Sequence, residues 1–180
     1  DLGWEEITES KVSKQADVVM LTYLLEEVFD EETIKANFDY YEPLTLHDSS
    51  LSPAIHAIAA AEMGDMTKAY QYFQMGSAVD LTLGGSEAGL HAACLGGLWQ
   101  VVINGFAGLR VTADKVKLNP QLPEPWEKIE FSVMWRNCEL EILITKGELK
   151  IKLKDSANKK VPLEVDNQDY KLTNKIKIEL

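Results

Sequence analysis

The sequence predicts a helical module followed by a small antiparallel β-module, and three observations carry that reading. Apolar residues recur at helical spacing up to about Arg110 and at every second position after it. Ten of the eleven glycines precede Val111. The acidic charge sits before the same point: residues 1–110 hold 5 Lys and Arg against 17 Asp and Glu, whereas residues 111–180 hold 13 against 12. Two unlike modules therefore meet near Arg110 to Pro125, and the expected division is 1–110 and 111–180.

In the first module, Ala16 to Phe29 places apolar residues at 18, 21, 24, 25 and 28, one face of a helix. Asp30 can cap a second helix that runs to about Tyr41. Ser52-Pro53 reads as an N-cap followed by proline at the first helical position, and Gly64 closes that helix. Asp65 starts the next, with apolar or aromatic residues at 66, 69, 70, 73 and 75. Gly84-Gly85-Ser86 then breaks the chain before a long helix from about Glu87 to Asn104. Ile55 to Ala61 and Leu90 to Val102 are apolar nearly all round, which suits an inner layer packed on both sides, as in a double ring of helices. One long polar connection, Glu42 to Ser52, is where chemistry is expected.

In the second module, Lys115 to Leu118, Glu130 to Trp135, Leu140 to Thr145, Leu149 to Leu153, Val161 to Val165 and Lys175 to Leu180 alternate apolar with charged residues. Gly147 and Asn158 mark turns. Six short strands make a small antiparallel sandwich with one face of each sheet on a core. It holds no cluster that reads as a site.

Several function classes drop out on composition. A net charge of −11 argues against nucleic acid, whose phosphates need a basic face. No stretch reaches the roughly 18 to 20 apolar residues of a membrane span. Asp1 to Glu9 is acidic, with no apolar region behind a basic start, and does not read as a signal peptide. Cys94 and Cys138 have no second cysteine or histidine at metal-ligand spacing, so buried thiols, no metal site and a reducing cytoplasm are expected.

Four segments hold most of the informative polar residues: Lys14-Gln15-Ala16-Asp17-Val18, Phe38-Asp39-Tyr40-Tyr41-Glu42-Pro43, His47-Asp48-Ser49-Ser50-Leu51-Ser52-Pro53 and Gly89-Leu90-His91. Together they resemble glycoside hydrolase family 65, the maltose, trehalose and kojibiose phosphorylases. The resemblance runs from "KQADVVML" through "NFDYYEPLTLHDSSLSPAIHAIAAAEMG" to "GLHAACLGGLWQVVINGFAGLRV", and "PQLPEPW" continues it into the second module. It implies an (α/α)6 barrel followed by a C-terminal β-sandwich, of which this chain would be the last barrel helices plus the sandwich. The general acid, a glutamate of an earlier barrel segment, has no counterpart here, so the chain alone is expected not to catalyse. One departure stands out: Ser77 to Ser86 is shorter, and less rich in Asn and Asp, than the loop that relatives carry ahead of "GLH", which bears on substrate choice or oligomer contacts.

The residues also have their own chemistry. Lys14 and Gln15 open a helix, where a lysine is unfavourable for the helix dipole. An ammonium and an amide suit sugar hydroxyls, although a solvated first turn is the plainer account. Ser49 and Ser50 precede a helix N-terminus, a ready anion site, yet Ser52 as cap and the pair as turn residues would explain them structurally. His91 could donate to an anion from the start of the long helix or be a satisfied core residue; His47 could orient the serine loop, and His56 reads as packing. The resemblance assigns Lys14 and Gln15 to sugar binding and Ser49, Ser50 and His91 to phosphate. Glu42 and Asp48 could pose as a glycosidase acid–base pair, although capping and turn roles explain them. Asp17 and Asp80 read as loop-holding, and Phe38, Tyr40 and Tyr41 as core or a sugar platform.

The expected whole protein is an inverting α-glucoside phosphorylase releasing β-glucose 1-phosphate. It needs no cofactor, takes inorganic phosphate as co-substrate with a disaccharide, includes the remaining N-terminal part of the same protein, and as the complete enzyme forms a homodimer. The rival readings are a hydrolase of the same family and a non-catalytic carbohydrate-binding or scaffold fragment.

Overall fold

The structure, a computed structural model, describes residues 10–81, 89–154 and 159–180. They fall into two compact units that divide between Val101 and Val102. The first is helical: α1 (Asp17–Leu24), α2 (Glu31–Tyr41), α3 (Ser52–Glu62), α4 (Met66–Ala78) and α5 (Ala92–Gln100); a π turn, Val101–Phe106, follows α5 and runs on into the second unit. None of the described helices is long and apolar enough to cross a membrane.

The caps form where the sequence puts them. The Asp30 carboxylate accepts from the Thr33 N–H at 2.7 Å and Asp65 from the Lys68 N–H at 3.0 Å, each satisfying an otherwise orphan donor of the first turn. Gly64 takes φ of 76° as α3 ends, a conformation that costs glycine little.

Helix α3 is the centre of this unit, with Ala54, Ala57, Ile58, Ala59, Ala60 and Ala61 buried almost completely. Its small side chains let the neighbouring backbones approach. A Cβ on Gly97 of α5 would lie 2.8 Å from that of Ala54, and one on Gly76 of α4 would meet Leu98 at 3.0 Å and Pro53 at 3.7 Å. The first turn of α3 and the last turns of α4 therefore meet α5 just past its middle, at Gly97 and Leu98.

Three local expectations are corrected. Helix α1 stops at Leu24 and gives way to a turn, closed by the Val28 N–H on the Leu25 carbonyl at 2.8 Å, rather than running to Phe29. Ser52 is the first helical residue, and its hydroxyl serves a histidine instead of capping. Helix α5 begins at Ala92, not near Glu87, because the His91 N–H is taken by the Asp80 carboxylate. Glu87 itself, the Gly84-Gly85-Ser86 break, Asn158 and Asp1 to Glu9 lie outside the described residues.

The second unit has eight strands in two four-stranded sheets. One sheet has the order β1 (Arg110–Val111), β2 (Val116–Leu118), β6 (Val161–Val165), β7 (Gln168–Leu172). The other is β3 (Lys128–Trp135), β4 (Cys138–Thr145), β5 (Glu148–Leu153), β8 (Lys175–Glu179). Two strands beyond the six expected are β1 and β7, and the β2–β6 pair is parallel, so the module is not wholly antiparallel. Alternation places Leu140, Ile142, Ile144, Leu149, Ile151 and Leu153 inside one sheet and Val116, Leu118, Val161, Leu163 and Val165 inside the other. Arg136-Asn137 and Asp166-Asn167 make the two-residue turns β3–β4 and β6–β7 with positive φ at both positions, as the type I′ hairpin requires. Cys94 and Cys138 are free and buried.

Candidate functional site

The segment bearing Lys14 and Gln15 is tied to the loop that precedes α3. Ser13 bridges Thr45 in parallel fashion: the Ser13 N–H donates to the Leu44 carbonyl and the Leu46 N–H to the Ser13 carbonyl, both at 2.9 Å. Lys14 and Gln15 thus follow directly on a residue held against 44–46 despite the distance in sequence. The Lys14 ammonium is exposed and has no partner among the described residues. Gln15 donates its side-chain amide to Asp17 at 3.2 Å, and its carbonyl accepts from the Ser13 hydroxyl at 2.7 Å.

The serine loop has a defined shape. His47 adopts φ of 53°, unusual for a residue with a Cβ, and its Nδ1 lies 2.9 Å from Ser52 Oγ, which holds the turn. The Ser49 carbonyl accepts from the Ser52 N–H at 3.1 Å, and its hydroxyl from the Leu51 N–H at 3.4 Å. The Ser50 hydroxyl has no partner among the described residues, and both serines are half-buried.

Behind the loop stands a cluster of rings. His56 is fully buried, and its Nδ1 donates to the Ser52 carbonyl at 3.0 Å. Burial pulls its pKa down to about 4, so the ring is neutral near pH 7, and its Nε2 finds no hydrogen-bond partner. Ring centroids of His47 and His56 are 4.6 Å apart, and Tyr72 lies 4.9 Å from the first and 5.3 Å from the second. Burial, and secondarily a contact with Glu42, push the Tyr72 phenol above its ordinary value.

Glu42 is held from two sides. It accepts from the Tyr72 hydroxyl at 2.7 Å and pairs with the Lys68 ammonium at 3.1 Å. Burial alone would push its carboxyl up, but these two donors outweigh it and hold the group below the ordinary glutamate value. It is a buttress and not a free base. Asp48, the other carboxylate weighed as a glycosidase base, is exposed on the loop.

His91 lies at the N-cap of α5, half-buried, with Nδ1 2.6 Å from Asp80 Oδ1. The same carboxylate accepts the His91 backbone N–H through Oδ2 at 3.1 Å and Oδ1 at 3.3 Å. These contacts hold Asp80 below its ordinary value, the hydrogen bond from His91 being the largest cause. His91 directly precedes α5 as the loop carrying Ser49 and Ser50 directly precedes α3, and the two helices pack on one another.

Sequence reasoning singled out the loop, its donors, His47 as orienting the loop and Asp80 as loop-holding, but missed Tyr72 and the pairing of Asp80 with His91. Tyr72 lies 30 residues from Glu42, and Asp80 lies 11 from His91, so neither pairing follows from local spacing. Among the described residues no group of three His, Cys, Asp or Glu could hold a metal ion. A concavity on the second unit is lined by Glu130, Glu141, Lys150, Lys152, Lys175 and Lys177, alternating charges on the outer face of a sheet, with Lys152 paired to Glu141 at 3.2 Å.

Comparison with known proteins matches two domains of one family to this chain. Residues 1–100 match the glycosyl hydrolase family 65 central catalytic domain, and residues 109–172 match that family's C-terminal domain. A kojibiose phosphorylase from Halothermothrix orenii is 46% identical over 151 residues, covering 83% of this chain and 19% of its own length. An alpha,alpha-trehalose phosphorylase from Thermoanaerobacter brockii is 38% identical over 175 residues, 95% of this chain and 22% of its own. A solved kojibiose phosphorylase-like structure from the human microbiome superposes with a TM-score of 0.87 at 32% identity, over 94% of this chain and 25% of its own. The chain spans about a fifth of the length of the curated relatives it matches. With a helical unit that matches the catalytic domain and a β-unit that matches the C-terminal one, the chain belongs to glycoside hydrolase family 65.

Proposed function

We propose that the complete protein is an inverting disaccharide phosphorylase, and that this chain supplies its phosphate pocket and part of its glucose pocket. In such a reaction a carboxylic acid, expected outside this chain, protonates the leaving glycosidic oxygen. A phosphate oxygen attacks the anomeric carbon from the opposite face, giving β-glucose 1-phosphate from an α-glucoside. An inverting hydrolase would need a carboxylate base on that face instead. The observation that carries the reading is Glu42: it is locked between Tyr72 and Lys68, while the Ser49 and Ser50 hydroxyls directly precede α3 and the His91 imidazole directly precedes α5. Such donors hold an anion, whereas a free carboxylate would repel one. Relatives described as kojibiose and trehalose phosphorylases support the same choice.

The assigned roles are phosphate binding for Ser49, Ser50 and His91, and contacts to the glucosyl hydroxyls for Lys14 and Gln15. The uncommitted Lys14 ammonium and Ser50 hydroxyl are free to make such bonds. The test is turnover of a disaccharide by the complete protein with and without phosphate. Strict dependence, with glucose 1-phosphate as product, is expected. Release of free glucose at the same rate without phosphate would show the hydrolase, with Asp48 the remaining carboxylate of the loop.

A further inference from the structure

We propose that Asp80 is a positioning residue that fixes which nitrogen of His91 carries the ring proton, and thereby lets the anion site distinguish hydrogen phosphate from sulfate. The proposal rests on the phosphate reading of His91.

Asp80 touches His91 three times, with Oδ1 2.6 Å from the ring Nδ1 and both oxygens on the backbone N–H. A carboxylate held in its ionised form accepts hydrogen bonds and donates none, so Nδ1 must carry a hydrogen. The backbone contact pins the carboxylate beside the ring, so that Nδ1 faces a fixed acceptor. Nε2 has no partner among the described residues.

The chemistry of Nε2 then depends on one proton. In the neutral ring Nε2 has a lone pair and accepts; in the imidazolium it donates. A hydrogen phosphate dianion carries one P–O–H, so it can donate to the neutral ring, and its other oxygens can accept from the imidazolium. It binds in either state with no bond to oxygen or phosphorus changed. Sulfate, with the same shape and charge, carries no hydrogen near neutral pH. Against the neutral ring it sets an oxygen lone pair facing a nitrogen lone pair, and it binds well only when the ring has taken up a proton.

Among the described residues, few other groups bear on this pair. Helices α3 and α4 pack on α5. Their titratable side chains are His56 and Glu62 on α3 and Lys68, Tyr70 and Tyr72 on α4, and of these His56, Lys68 and Tyr72 surround Glu42. On α5, the Cys94 thiol is pushed up by burial and then by Asp80, so it stays neutral.

The test is inhibition of phosphorolysis by sulfate in the complete enzyme between about pH 6 and 9, expressed as the sulfate inhibition constant over the phosphate KM. In the unmodified enzyme this ratio should climb with pH, by up to ~10-fold per unit, since sulfate binding is coupled to uptake of one proton. In Asp80→Asn the side-chain amide can donate to Nδ1, leaving hydrogen on Nε2 in the neutral ring. The ratio should then flatten and fall at least ~10-fold below the unmodified value at the alkaline end. A merely structural role for Asp80 would move both anions together. A ratio independent of pH in the unmodified enzyme overturns the proposal without recourse to any variant, and so does an equal slope in Asp80→Asn. His91→Ala separates the two levels. If it leaves the phosphate KM unchanged, the phosphate reading itself fails. If it raises that KM while the sulfate ratio stays flat in the unmodified enzyme, only the role of Asp80 fails.

Discussion

Tyr72→Phe removes one oxygen from the ring cluster behind the serine loop and should destabilise the helical unit by about 1.5 to 2 kcal/mol, the lower part of the range for a hydrogen bond to a charged group. The phenol donates to Glu42 at 2.7 Å, and the Glu42 side chain is only 19% exposed, so water replaces the lost donor poorly. Lys68 remains at 3.1 Å, which keeps the loss below that of an orphaned carboxylate. The ring contacts with His47 and His56 survive in phenylalanine. The folded value of Glu42 lies below its unfolded one, so its contribution is complete above the unfolded glutamate value and fades as pH falls through the folded value. Removing the phenol raises the folded value, so the acid-side loss of stability should begin at higher pH. Urea unfolding followed by helical circular dichroism at a series of pH values measures both effects. A cycle with Glu42→Gln should return a coupling of about 1 kcal/mol or more. Destabilisation under about 0.5 kcal/mol with an unmoved acid limb, or additive single variants, would refute Glu42 as a buttress held by Tyr72.

Two further outcomes are expected. Lys14→Ala in the complete enzyme should raise the KM for every glucoside tested, because a contact to the glucosyl unit is common to all of them; an effect confined to one disaccharide would remove Lys14 from that pocket. The 180-residue chain by itself should self-associate and bind a hydrophobic dye, since Leu24 at the end of α1, Val28 beyond it and Trp99 on α5 are 63%, 73% and 63% exposed; light scattering showing a monomer that binds no dye would contradict this.

What the sequence made legible was local chemistry. Asp30 and Asp65 sit directly before helical periods, and a carboxylate there has one obvious use, so both caps could be read. Ser52 looked equally like a cap, but His47, five residues earlier, takes its hydroxyl. Strand β7 was hidden because Gln168–Leu172 buries only Leu172 fully and shows no alternation, although the Asp166-Asn167 turn before it was a usable signal. The parallel β2–β6 pair joins residues 47 positions apart and leaves no local trace. In the site, the donors were visible as residue types, while the Ser13–Thr45 bridge, the Glu42 clamp and the Asp80–His91 pair arise from tertiary packing.

The most direct test of the central claim is the phosphate saturation curve of the complete enzyme carrying Ser49→Ala, Ser50→Ala and His91→Ala together. Each charge-assisted bond to the anion is worth roughly 1.5 to 3 kcal/mol, so even one surviving loss lowers phosphorolysis by about tenfold or more. The single changes should overlap rather than add, because all three side chains would hold one ligand. Phosphorolysis is expected to fall at least about tenfold, with the apparent affinity for phosphate failing first and the affinity for the disaccharide changing far less. An unaltered phosphate curve in the triple variant would contradict the account.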